Sequence, residues 1–99
     1  MARQGGAEGG GVAASHAVCV GRVTHVYPAA GAAAVRLEGR LALGDRIHVR
    51  GHTTDFLQAV ERLERSGQAL PAADAGAEVA LAVVARVRVG DRVYRLEAP

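Results

Sequence analysis

The sequence predicts an all-β fold, a small barrel or sandwich of short strands. Three observations predict it. Apolar and β-branched residues gather in short runs separated by Gly, Pro and Asp, the punctuation of strands and turns. One run, Asp45 to Gly51, alternates cleanly, with Arg46, His48 and Arg50 on one face and Ile47 and Val49 on the other, as a half-buried strand requires. Two turns echo each other: Leu43-Gly44-Asp45-Arg46-Ile47 and Val89-Gly90-Asp91-Arg92-Val93. In each, the glycine tolerates positive φ and the aspartate can bond nearby backbone at the entry to a strand. A third turn, Gly76-Ala77-Glu78-Val79, has the glycine without the aspartate.

Composition bounds the answer. Ninety-nine residues, 49% hydrophobic and 22% charged, are one ordinary globular domain, not a collagen, an acidic tail or a disulfide scaffold. The single cysteine, Cys19, excludes an internal disulfide and a cysteine-based zinc cluster; its alternation with Val18 and Val20 predicts a small buried hydrophobe. The apolar run Val79 to Ala85 is far short of the roughly 20 residues a spanning helix needs. The first fifteen residues hold no apolar block, so a secretory signal is not expected and a soluble, cytoplasmic protein is. The net charge is only +2, and all twelve basic residues are arginine; that balance is weaker than the footprint of a dedicated nucleic-acid binder. With Tyr27, Phe56 and Tyr94 the only large aromatics, the core must be Val, Leu and Ala.

Residues 1–16, rich in Gly and Ala, are expected to be a disordered tail, and residues 17–99 the folded domain. The β-branched stretch carrying Val18, Val20, Val23 and Val26 through Tyr27 is the first strand, ended at Pro28 because proline removes a ladder donor. Gly31 marks the return, Ala32 to Leu37 is a second strand, and Glu38-Gly39-Arg40 a turn. Thr54 to Arg65 is ambiguous. Phe56, Val60 and Leu63 fall at helical spacing with Asp55 placed to cap them, against a strand in which they do not all share a face. Val79 to Val87 reads as a central strand, and Asp91 to Leu96 as the last.

The segments GRVTHVY, GAAAVRLEGRLALGDRIHVRGHTTDF, VERLERSGQALPAADAGAEVAL and RVRVGDRVYRL resemble the small translation elongation factor-like proteins, similar to the second domain of elongation factor Tu. The resemblance runs from about Val20 to Leu96. It implies a closed antiparallel β-barrel of the translation-protein type, with six or seven strands, in which TDFLQAVERL is a strand leading to the loop of the 70s. Ala77 stands where that family usually carries an acidic residue. A related barrel lies at the C-terminus of some collagenase-like peptidases, several associated with RNA modification. GTP binding is not implied: without any lysine the chain has no Gly-x-x-x-x-Gly-Lys-[Ser/Thr] loop.

Catalytic chemistry is not expected. Ser15 lies in the tail and Ser66 beside Gly67 in a polar loop, and no carboxylate pair stands out. His48, His52 and Asp55 spell His-x3-His-x2-Asp, but four positions along a strand span about 13 Å, so no metal and no cofactor are expected. The candidate binding surface is Arg46, His48 and Arg50, followed by His52, Thr53 and Thr54, with Arg22, His25 and Tyr27 joining if they fold nearby. Side chains two apart on a strand lie about 6.5–7 Å apart, near the phosphate spacing of a single nucleic-acid strand, and arginine forks and hydroxyls suit phosphate contacts. By resemblance, the chain is a non-catalytic binding module associated with RNA, a ribonucleoprotein or the translation apparatus. The alternative is a protein-interaction module that docks on a larger peptidase-like or RNA-modifying enzyme.

Overall fold

A computed structural model of the chain describes residues 16–97. The tail expected over 1–16 lies, apart from His16, outside the described residues. The strands are β1 His16–Tyr27, β2 Ala32–Leu37, β3 Leu41–Ala42, β4 Arg46–Arg50, β5 Asp55–Ala59, β6 Leu63–Arg65, β7 Gln68–Ala69, β8 Ala72–Ala73, β9 Glu78–Ala82 and β10 Arg92–Glu97. The single helical element among the described residues is a 3-10 turn at Pro28–Ala30, closed by Gly31 at φ 62°.

Eight strands form one sheet in the order β5-β4-β10-β1-β2-β9-β6-β7, and β3 and β8 pair apart as a two-stranded ribbon. Every ladder is antiparallel. The all-β expectation is met; the closed six- or seven-stranded barrel is not, because no sheet closes and β5 and β7 remain free edges. The physical reason lies at residues 60–62, between β5 and β6. There the backbone leaves the ladder: the Val60 N–H donates to the Asp45 carbonyl and the Gly44 N–H to the Val60 carbonyl, both at 2.8 Å. Docked on that turn, the chain cannot run straight from one end of the sheet to the other as a paired strand.

β1 explains the curvature of the sheet. Its register slips between Cys19 and Gly21 and again between Val23 and His25, two β-bulges that bend a strand and sharpen its twist. The valines record them. Val20 and Val23 face the core and Val26 packs against it, at spacings of three where an unbroken strand would demand two. Gly21 is the tight point: a Cβ there would lie 2.6 Å from the Val35 side chain. Val20, Val35, Leu41, Ile47, Leu63, Leu81 and Val93 form the core with no aromatic wholly inside it, while Phe56 packs at its margin. Cys19 departs from the sequence expectation and is half-buried.

The echoing turns are structural repeats. Asp45 N–H bonds the Ala42 carbonyl, Asp91 N–H that of Arg88 and Ala77 N–H that of Asp74, at 3.0–3.2 Å. The third residue of each turn is a glycine at φ +89°, +95° and +94° respectively, the geometry that needs glycine in a type II turn. Each turn then clasps one buried aliphatic residue by two backbone bonds of 2.8 Å: Val60 for the first, Val23 for the second, Leu37 for the third. Where aspartate follows the glycine, its carboxylate also accepts the N–H three residues back, Ala42 at 2.9 Å and Arg88 at 2.8 Å. The third turn has the backbone and not the carboxylate.

Two segments differ from expectation. Thr54 to Arg65 is strand, break and strand, so its helix-like spacing comes from Val60 sitting at the break. The segment Val79 to Val87, expected as a central strand, is strand only through Ala82. Beyond it the chain leaves the sheet, with Val84 70% exposed, and Val87 returns to the core.

Candidate docking face

β4 presents its residues as the alternation demands. Ile47 and Val49 are buried, Arg46 and Arg50 are exposed, and His48 is half-buried. β4 therefore carries Arg46, His48 and Arg50 on one side, and the other candidate residues are placed as follows. Thr54 is turned inward with 5% exposure and its carbonyl accepts the Gly51 N–H, so it is part of the hairpin's frame. His52 and Thr53 are exposed in that hairpin loop. His25 and Tyr27 sit beyond the second bulge, opposite Ala34 and Ala32. Their rings lie 4.5 Å apart against an open polar cleft of about 480 Å³ that Glu64, Arg65 and Glu78 help to line. They do not meet the β4 arginines.

Arg22 does join them, by a route that no single strand shows. On β10, Arg92 stands opposite Arg50 of β4. Arg22 of β1 stands opposite Arg92, and Arg36 of β2 opposite Arg22. All four are exposed. They form one row of guanidinium-bearing side chains across four neighbouring strands, and sequence reasoning missed Arg36 and Arg92. Both ends of the row are acidic: Asp55 lies opposite Arg50 and Glu78 opposite Arg36.

The end carboxylates are engaged elsewhere. Asp55 Oδ1 lies 2.5 Å from His48 Nε2, a diagonal pair across the β4–β5 hairpin. The hydrogen bond with His48 holds the Asp55 carboxyl below its ordinary 3.8; nearby His48 and Arg50 charge adds to this, and partial desolvation opposes it. Glu78 accepts the Thr24 hydroxyl. Among the described residues, none of Arg22, Arg36, Arg50 and Arg92 makes an ion pair; Arg92 donates weakly to Cys19 Sγ at 3.8 Å. His48 and Asp55 are thus bonded to each other, and no cluster of three metal-ligating side chains occurs among the described residues. Nor is any helix among them long and apolar enough to cross a membrane.

A second, apolar cleft of about 600 Å³ lies where the chain leaves β9, lined by Val26, Pro28, Val83, Val84, Arg86 and Val87 among others. A buried glutamine holds its wall. Gln58, on edge strand β5, donates from Nε2 to the Ala82 carbonyl at 2.9 Å and accepts the Val84 N–H at Oε1, also at 2.9 Å. One side chain so ties the free edge of the sheet to the end of β9, across the gap that keeps the sheet open.

No protein-family model matches the chain, and no curated protein matches it. Solved structures do. The C-terminal domain of a protein from Geobacillus thermoleovorans assigned as a U32 peptidase superposes with a TM-score of 0.68 and 24% identity, covering 82% of this chain and 93% of that domain. The selenomethionine variant of that domain gives a TM-score of 0.66 at 24% identity, over 78% of this chain and 96% of that one. At this identity the likeness is one of fold. It corresponds to the second family that the sequence suggested, the collagenase-like peptidases; the elongation-factor relation is not shown.

Proposed function

We propose that this chain is a non-catalytic accessory module that docks on a larger, peptidase-like or RNA-modifying enzyme. The observation that supports it is the extent of the structural likeness: the chain matches nearly the whole of a domain that occupies the C-terminus of an enzyme assigned as a U32 peptidase. A fold does not determine a function, but that neighbour is one domain of a larger protein, and docking on such a protein needs surfaces to meet it. Exposed charge on the outer face and an apolar cleft at one end of the sheet supply two such surfaces here.

The test is capture from a lysate of the native host, with the tagged chain as bait and ribonuclease added to half of the sample. A discrete protein carrying a peptidase-like or RNA-modifying domain, retained after ribonuclease, is the expected result. Recovery of RNA and ribonucleoproteins alone, lost on ribonuclease treatment, would overturn the docking reading in favour of RNA binding.

A further inference from the structure

From the arginine register we infer that the outer face of β4, β10, β1 and β2 is a docking surface for an acidic patch on a protein. The inference rests on the docking function proposed above and adds the face and the partner's chemistry. Four arginines in direct cross-strand register are an unfavourable arrangement, since like charges directly opposite one another weaken a sheet. A merely solvated face has no need of it, and mixed charges would serve solubility better. The protein's own acids compensate the row only at a distance. Asp55 and Glu78, which bracket it, are bonded to His48 and Thr24, Asp55 lies in the field of Arg50 and Glu38 in that of Arg92, and none of the four guanidiniums is ion-paired among the described residues, so all stay exposed with forks suited to bidentate capture of carboxylates.

The length of the row selects the occupant. Three inter-strand steps of about 4.8 Å span roughly 14 Å. An extended acidic segment with carboxylates at alternate positions repeats every 6.5–7 Å or so, so three fit along that length. A nucleic-acid strand laid along the same row carries its phosphates onward, over Asp55 at one end and Glu78 at the other. Turned to follow β4, it meets only Arg46 and Arg50 from that strand. A bounded cationic row between two acids fits a bounded anionic partner.

The experiment uses the full chain, isotopically labelled, and two probes of equal formal charge: an extended, end-capped peptide with three glutamates at alternate positions, and a three-phosphate oligouridylate. NMR titration follows the arginine side-chain resonances. The peptide is expected to shift those of Arg22, Arg36, Arg50 and Arg92 together and to bind more tightly than the oligouridylate. The double reversal Arg36→Glu/Arg92→Glu should weaken peptide binding about tenfold or more, as loss of several exposed charge pairs requires, while Arg62→Gln, off the row, leaves it unchanged. The amide spectrum of each variant reports whether it is folded, and single Arg→Gln changes replace the double reversal if it is not. Binding of the oligouridylate as tight as or tighter than that of the peptide, or no response to either probe, overturns the inference. Its failure is separable from that of the docking function: if the reversed variant still captures the ribonuclease-resistant partner, docking stands and another face performs it.

Discussion

Gln58 is the strongest single test of how this open sheet is held together. It is 9% exposed, and its amide spans from edge strand β5 to the residues at and just past the end of β9, bonding Ala82 O, Val84 N–H and, at 3.2 Å, Ala59 O. Gln58→Met keeps the volume and removes every one of those bonds. The Val84 side chain is exposed, so its amide regains water in part and the cost falls mainly on the Ala82 carbonyl and the lost bridge. A buried polar group stripped of its partner costs about 1–3 kcal/mol. Against a total stability of about 4–12 kcal/mol for a domain of this size, that lowers Tm by roughly 4–8 °C for each kcal/mol. Chemical denaturation followed by circular dichroism measures it. Gln58→Glu sharpens the test, since it puts a carboxylate oxygen against a carbonyl. Burial beside that carbonyl raises the folded-state pKa of the new acid above its unfolded value. The variant is then most stable below the unfolded pKa and loses stability as pH rises through the folded one. If Gln58→Met unfolds within about 0.5 kcal/mol of the parent, the range of an indifferent surface change, the bridge across the opening does not hold the fold.

Gly44→Ala, Gly76→Ala and Gly90→Ala should each cost about 1–2 kcal/mol, because all three positions have positive φ and no heavy atom near a new Cβ; three unequal losses in denaturant titrations would argue against a common turn. Gly51→Ala should destabilise by about 1–3 kcal/mol or more, since its Cβ would lie 1.8 Å from Oδ1 of the buried Asp91, and an unchanged midpoint would show that Asp91 has room to move. Asp55 should titrate below 3.8 by carboxyl NMR and return toward it in His48→Gln; because its folded-state pKa is depressed, its contribution is present above the unfolded value and lost as pH falls through the folded one. Arg22→Glu, placing an acid between Arg36 and Arg92, should raise the denaturation midpoint, more so at low salt, and no gain would mean the row carries no repulsion.

Much of the architecture is legible in the sequence because local chemistry decides it. Pro28 and Gly31 close β1 into β2, and the Gly-Asp repeats mark turns whose backbone geometry the residues themselves demand. The two bulges are not read from the sequence, where Val20, Val23 and Val26 mark only a β-branched strand; the ladders show them as register slips. What fails is whatever depends on a distant partner. Val83 to Ala85 are as apolar as Val79 to Leu81, yet their place is set by the Val83 N–H bond to Gly31 and by Gln58, and no strand lies ready to extend the ladder. Closure of the barrel fails for the same reason. It turns on whether Val60 pairs with a strand or with the Gly44-Asp45 turn, a backbone choice that leaves no mark on the side chains.

The same limit explains why reading along the chain groups the β4 residues and not the arginine row. Reading along a strand collects residues two apart, and so finds Arg46, His48 and Arg50. The charge concentrates in the perpendicular direction, where neighbours are set by register, and Arg22, Arg36, Arg50 and Arg92 are scattered along the chain. Only the ladders bring them into line. Register here is itself a product of the bulges. The slip between Cys19 and Gly21 lets Val20 and Gly21 share the inner side and returns Arg22 to the outer face, opposite Arg92. Without it, Arg22 would point toward the core and the row would break between Arg92 and Arg36. The feature that spoils simple alternation in β1 therefore also assembles the surface to which a docking role is assigned, and removing the bulge should cost the protein its row of charge as well as its curvature.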